Sequence, residues 1–101
     1  MKSLKDRSAF ITGAASGIGR AIATALAAQG CHFYLVDVNE DGLRTLEQEL
    51  ACTRVRVWTR QCDLSDSQAI PSIVEAAMAA SGGIDLLINN AGVIEHGAFA
   101  A

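Results

Sequence analysis

The chain's 101 residues predict an α/β fold, a doubly wound parallel sheet built β-α-β-α-β-α-β with strand order 3-2-1-4. Three observations predict it. Short apolar runs alternate with longer stretches whose apolar residues recur at helical spacing. The runs are continuously apolar rather than alternating, the pattern of strands buried on both faces. Residues that suit tight turns stand where each run ends: Gly13, Asp37, Asp63 and Asn89-Asn90.

The first strand is Ser8-Ala9-Phe10-Ile11-Thr12, ending at Gly13. An Ala-rich helix follows from Ile18 to Gln29, with Ile18, Ile22 and Leu26 on one face and Gly30 as its stop. His32 to Val36 is the second strand, closed by Asp37. Asn39 caps the second helix, Glu40 and Asp41 fill its first turn, and Leu43, Leu46 and Leu50 form its buried face. The third strand carries Val55 and Val57 on one face and Trp58 on the other, and runs to about Cys62. Ser65 and Gln68 make a capping box. Ile70, Ile73, Val74, Ala77 and Met78 give the third helical stripe, broken at Ser81-Gly82-Gly83. Pro71 falls within that helix's second turn on this reading, so the helix either kinks there or starts later. Ile84 to Ile88 is the fourth strand. Right-handed crossovers then put the first two helices on one face of the sheet and the third on the other.

Composition narrows the function classes. Half the residues are hydrophobic, enough to bury a core. Net charge is −3 and the eight Lys and Arg are scattered, so there is no basic stripe for nucleic acid. Cys31, Cys52 and Cys62 are too dispersed for a zinc site or a disulfide framework, and they read as structural thiols of a reducing compartment. The charged start, Lys2 to Arg7, is followed by no apolar signal core, and no run of about eighteen apolar residues could span a membrane. A soluble cytoplasmic protein is the expectation. His32 and His96 read as packing and loop residues rather than catalysts, and no metal ligands are expected.

The residues with chemical potential follow the strands, where sheets of this kind bind ligands. Thr12-Gly13-Ala14-Ala15-Ser16-Gly17-Ile18-Gly19 leads from strand to helix. Its glycines allow a tight turn and close backbone approach, and the helix start offers N–H groups and a positive dipole end to a pyrophosphate. The spacing Gly-x-x-x-Gly-x-Gly is neither the common dinucleotide fingerprint nor a P-loop, and an ordinary turn also fits it. Asp37, about twenty residues beyond the turn, can accept hydrogen bonds from both hydroxyls of an adenosine ribose and would repel a 2′-phosphate. That favours NAD over NADP. An exposed strand-end carboxylate is the plainer alternative. Asp63 can meet an adenine amino group or stabilise the turn into the next helix. Asn89-Asn90-Ala91-Gly92 suits a crevice where a ligand lies against backbone, or an amide-rich turn that ties strands together. Arg20 can approach a phosphate or stay solvated.

Taken together these motifs resemble the short-chain dehydrogenase/reductase family. Thr-Gly-x-x-x-Gly-Ile-Gly, Asp at the second strand's end, Asp-Leu after the third and Asn-Asn-Ala-Gly after the fourth occur in that family's order. The resemblance implies a Rossmann-like fold in which Gly13, Ser16, Gly17, Ile18 and Gly19 form the phosphate turn. It assigns Asp37 to the adenosine ribose, Asp63 and Leu64 to the adenine, and Asn90, Ala91 and Gly92 to the cofactor cleft, with the Asn also steadying the central sheet. The absence of Arg or Lys just before Gly17 agrees with NAD in this family.

The family's catalytic Ser, Tyr-x-x-x-Lys pair and helix-borne Asn have no counterpart here. The single tyrosine, Tyr34, has Val38 four positions on, and the lysines Lys2 and Lys5 precede the first strand. Residues 1–101 are therefore expected to be a partial dinucleotide-binding domain, the NAD-binding half of an oxidoreductase, without the catalytic half and inactive alone. A natural non-catalytic nucleotide-binding module or assembly partner is the alternative, and an in-frame Tyr-x-x-x-Lys after Ala101 separates the two. The fourth strand is expected to present a bare apolar edge that makes the chain prone to self-association. The resemblance implies a homo-oligomeric parent.

Overall fold

The computed structural model describes residues 4–63 and 69–90. Within them run β1 (Ser8–Thr12), α1 (Gly17–Ala27), β2 (His32–Asp37), α2 (Glu40–Leu50), a 3-10 turn at Ala51–Thr53, β3 (Val57–Gln61), α3 (Ile70–Ser81) and β4 (Leu86–Asn89). Every strand pairing is parallel and the order is β3-β2-β1-β4, as predicted. The register aligns the strands' carboxyl ends: Thr12 lies beside Val36 and Asn89, and Asp37 beside Gln61. Among the described residues, the candidates that follow strands are thereby gathered at the carboxyl end of the sheet.

The two faces carry separate cores. Ala9, Ile11, Phe33 and Leu35 are buried under Ala23 and Ala27 of α1 and under Leu43, Leu46 and Leu50 of α2. Phe10, Tyr34 and Val36 are buried under Ile73 and Ala77 of α3, with Trp58 packed at the margin. The Phe10 and Tyr34 rings stack with centroids 5.7 Å apart. The predicted split of the helices between the faces is observed. Asn39 caps α2 as its sequence position suggests, its Oδ1 accepting the Gly42 N–H at 3.0 Å. Among the described residues no helix is long and apolar enough to cross a membrane.

Several local expectations change. Ile18 is 68% exposed, because α1 lies close to the sheet and buries small residues, Gly19, Ala23 and Ala27, with Ile22 and Leu26 only partly covered. Met78 is half exposed on α3. Pro71 stands in the first turn of α3, where its missing N–H has no helical partner to lose, so no kink is needed. β3 starts at Val57 rather than Val55: Arg54 adopts a left-handed conformation (φ 64°), and His32 Nδ1 takes the Arg56 N–H at 3.0 Å. β4 starts at Leu86 rather than Ile84, because the Asp85 carboxylate accepts the Ser8 N–H at 2.8 Å that a longer ladder would use. β4 ends the described sheet, and its Leu87 is 67% exposed. The Ser65–Gln68 capping box, Leu64, Ala91, Gly92 and His96 lie outside the described residues, as do the side chains of Cys52 and Ile70.

Cys31 is fully buried, and its Sγ lies 3.3 Å from the Leu4 carbonyl oxygen that accepts its hydrogen. Burial, and then the nearby Asp85 charge, push its thiol up from the ordinary range. That keeps the sulfur protonated and unreactive, as a packing residue should be.

Candidate functional site

The site begins where β1 stops. Gly13 has φ 64°, a conformation glycine accepts without strain, and it swings the chain out of the sheet. The Ala14 N–H still reaches the Val36 carbonyl at 3.2 Å, so the turn stays against β2. Ser16 then caps α1, its Oγ accepting the Gly19 N–H at 3.2 Å. The same hydroxyl donates to the Gly13 carbonyl at 2.8 Å.

The glycines differ in what they make possible. A Cβ on Gly19 would lie 2.3 Å from the Gly13 carbonyl oxygen, so this glycine lets α1 close onto the turn. A Cβ on Gly17 would meet nothing within 4 Å. The space over Gly17, at the start of α1, is open for a ligand to approach the backbone. Gly17 and Ile18 occupy the first helical turn, whose N–H groups have no carbonyl partner within the helix. Their N–H groups and the dipole end suit an anion.

Asp37 is tied directly to this turn. Its Oδ2 accepts the Ala15 N–H at 2.9 Å and its Oδ1 accepts the Asn39 N–H at 2.9 Å. The carboxylate is therefore aimed by the glycine turn on one side and by the α2 cap on the other. Each oxygen keeps acceptor capacity for a further donor. The end of β3 is fastened nearby: Cys62 N–H donates to the Asp37 carbonyl at 3.0 Å and Gln61 Nε2 to the Val38 carbonyl at 3.2 Å. Asp63 follows at the same end of the sheet and is exposed.

Asn89 and Asn90 reach the turn from β4. Thr12 Oγ1 donates to Asn89 Oδ1 at 2.8 Å and accepts the Asn90 N–H at 3.0 Å. Asn90 Nδ2 donates to Gly13 O at 3.1 Å and to Ser16 Oγ at 2.7 Å. The amide pair ties β4 to β1, and Asn90 also fixes the shape of the glycine turn. Ser16 Oγ has spent its one proton on Gly13, so its hydroxyl shapes the turn. Arg20 turns out to be committed elsewhere, its guanidinium paired with Glu49 of α2. His32 sits at the far end of β2, with Nδ1 on the Arg56 N–H and Nε2 at 3.3 Å from Asp6.

Two participants have no role of their own in the sequence analysis. Thr12 is visible only once its strand neighbours are known. Gly42 carried a signal, a glycine inside the first turn of a helix, which usually has a packing reason.

The family model for short chain dehydrogenases matches residues 7–101. The chain is 40% identical over 90 residues to D-threitol dehydrogenase from Mycolicibacterium smegmatis, covering 89% of this chain and 35% of that enzyme. NAD+-bound xylitol dehydrogenase superposes with a TM-score of 0.86 at 32% identity, over 90% of this chain and 35% of that one. A metagenomic short-chain oxidoreductase in complex with NADP superposes with a TM-score of 0.82 at 38% identity, over 90% and 41%. The chain spans about a third of the length of these dehydrogenases. With its parallel sheet, its glycine turn and this match over nearly its whole length, the chain belongs to the short-chain dehydrogenase family.

Proposed function

We propose that this chain holds the adenosine and pyrophosphate end of NAD, as the cofactor-binding half of an oxidoreductase that moves hydride between a nicotinamide and an alcohol or carbonyl. The observation that carries this reading is the Asp37 carboxylate, fixed by the Ala15 N–H beside the open start of α1. In this phosphate turn Gly17 and Ile18 offer backbone N–H groups to the pyrophosphate, with Gly13, Ser16, Gly19 and Asn90 holding that backbone in shape. Asp37 accepts from the ribose hydroxyls. Asp63 and Leu64 border the adenine, and Ala91 and Gly92 extend the cleft after Asn90, roles carried over from the family's motifs. The nicotinamide supplies the hydride chemistry when bound.

NAD is preferred because a carboxylate that accepts from a 2′-hydroxyl repels a 2′-phosphate. The one tyrosine does not serve as the proton donor: Tyr34 lies mid-strand, buried and stacked on Phe10. Hydride transfer is accordingly assigned to the longer protein of this family type.

Titration of the purified protein with NADH and NADPH, followed by nucleotide fluorescence, tests the reading. NADH should bind at least about tenfold tighter, the worth of one well-made charge-assisted hydrogen bond. Equal or tighter NADPH binding would remove the assignment of Asp37.

A further inference from the structure

Gly42 stands at the third position of α2, a short helix of 11 residues. Glycine is the poorest helix former after proline. Its neighbours explain its presence. A Cβ built on Gly42 would lie 2.7 Å from the Ala15 Cβ and 2.9 Å from Asn39 Nδ2. Real Cβ atoms do not come so close, so something would have to shift.

The two residues that would be struck are the two that orient Asp37. The Ala15 N–H holds Oδ2 and the Asn39 N–H holds Oδ1. Alanine has no rotatable reach, so Ala15 can yield only by moving its backbone, and that backbone carries the N–H on Asp37. Asn39 can turn its amide, but its Oδ1 is the cap of α2. Neither neighbour moves without disturbing the carboxylate or the helix start beside it.

We propose that Gly42 is a positioning residue for recognition of the adenosine ribose. Its missing Cβ lets the first turn of α2 and the glycine turn close on one another, and this closure aims the Asp37 carboxylate. The inference rests on the reading of Asp37 as the ribose acceptor, and it adds a specificity role to a residue that touches no ligand itself.

The test compares ADP with 2′-deoxy-ADP by calorimetry on the purified protein. The ratio of their affinities measures the grip on the 2′-hydroxyl, which a general loss of stability does not change. Wild type should prefer ADP by about tenfold, one hydrogen bond to a charged group. Gly42→Ala should reduce that preference to about twofold or less, and adding Ala15→Gly to it should restore most of the preference by removing the struck Cβ. If wild type binds neither nucleotide, or does not distinguish them, the ribose reading itself fails. If wild type distinguishes them and Gly42→Ala does so equally, Gly42 has no positioning role. Loss of preference without recovery in the double variant assigns the effect to α2 alone and overturns the proposal. Should Gly42→Ala fail to fold, a folded double variant that prefers ADP supports it, and one that stays unfolded contradicts it.

Discussion

Gly19→Ala is expected to abolish measurable NADH binding, a loss of at least about a hundredfold, or roughly 3 kcal/mol. The reason is local and steric. The new Cβ would stand 2.3 Å from the Gly13 carbonyl oxygen and 3.0 Å from Ala14 Cα. Both are backbone atoms, so no side-chain rotation relieves the contact. Gly13 O also accepts from Ser16 N, Ser16 Oγ and Asn90 Nδ2, so it is held from several directions. Relief requires α1 to withdraw from the turn, which displaces the N–H groups of Gly17 and Ile18 at its start. Overpacking of this kind also costs stability, about 1–3 kcal/mol. Equilibrium denaturation read beside the NADH titration separates the two effects. A variant that is destabilised but binds NADH normally would show that α1 need not close on Gly13 for pyrophosphate binding.

Asp37→Ala is expected to raise the Kd for NADH by about 10–100-fold, the loss of hydrogen bonds to a charged acceptor. Binding of NADPH should change far less, because removing the carboxylate also removes its repulsion of the 2′-phosphate. The ratio between the two nucleotides should therefore collapse towards unity. Some of the loss comes through the protein itself, since the Ala15 and Asn39 N–H groups both lose their acceptor. Asp37→Asn keeps one acceptor oxygen and should fall between wild type and Asp37→Ala. Nucleotide fluorescence titrations of the three proteins check this. An unchanged NADH to NADPH ratio in Asp37→Ala would assign Asp37 to folding the turn alone.

Much of this architecture is legible in the sequence because burial on both faces leaves a simple mark. The centres of β1 and β2, Ala9 to Ile11 and Phe33 to Val36, are continuously hydrophobic and buried, and the leucine stripe of α2 falls where its spacing indicates. The turn residues were legible for a related reason: glycine, aspartate and asparagine at strand ends are there for backbone geometry or for hydrogen bonding. The strand limits were less so. β3 and β4 are trimmed by backbone to side-chain bonds, Arg56 to His32 and Ser8 to Asp85, that join residues distant in the chain, and no local pattern announces such a bond. Ile18 misleads for the opposite reason. Its helical spacing places it on the apolar stripe, yet α1 approaches the sheet through glycine and alanine, which leaves the larger side chain outside. The contacts that give the site its shape, Asn90 to Ser16 and Gly42 against Ala15, join segments that meet only after folding.

The proposal that this turn holds the adenosine and pyrophosphate of NAD is tested most directly by following backbone amide resonances of the purified protein as ADP is added. The largest shifts should fall on Ala15, Gly17, Ile18 and Asn39, the amides of the glycine turn and of the α2 cap that flank Asp37. Shifts confined to the outer faces of α1 and α2 around Thr24 and Glu49, or none at saturating ADP, would contradict the assignment of this turn as the nucleotide site.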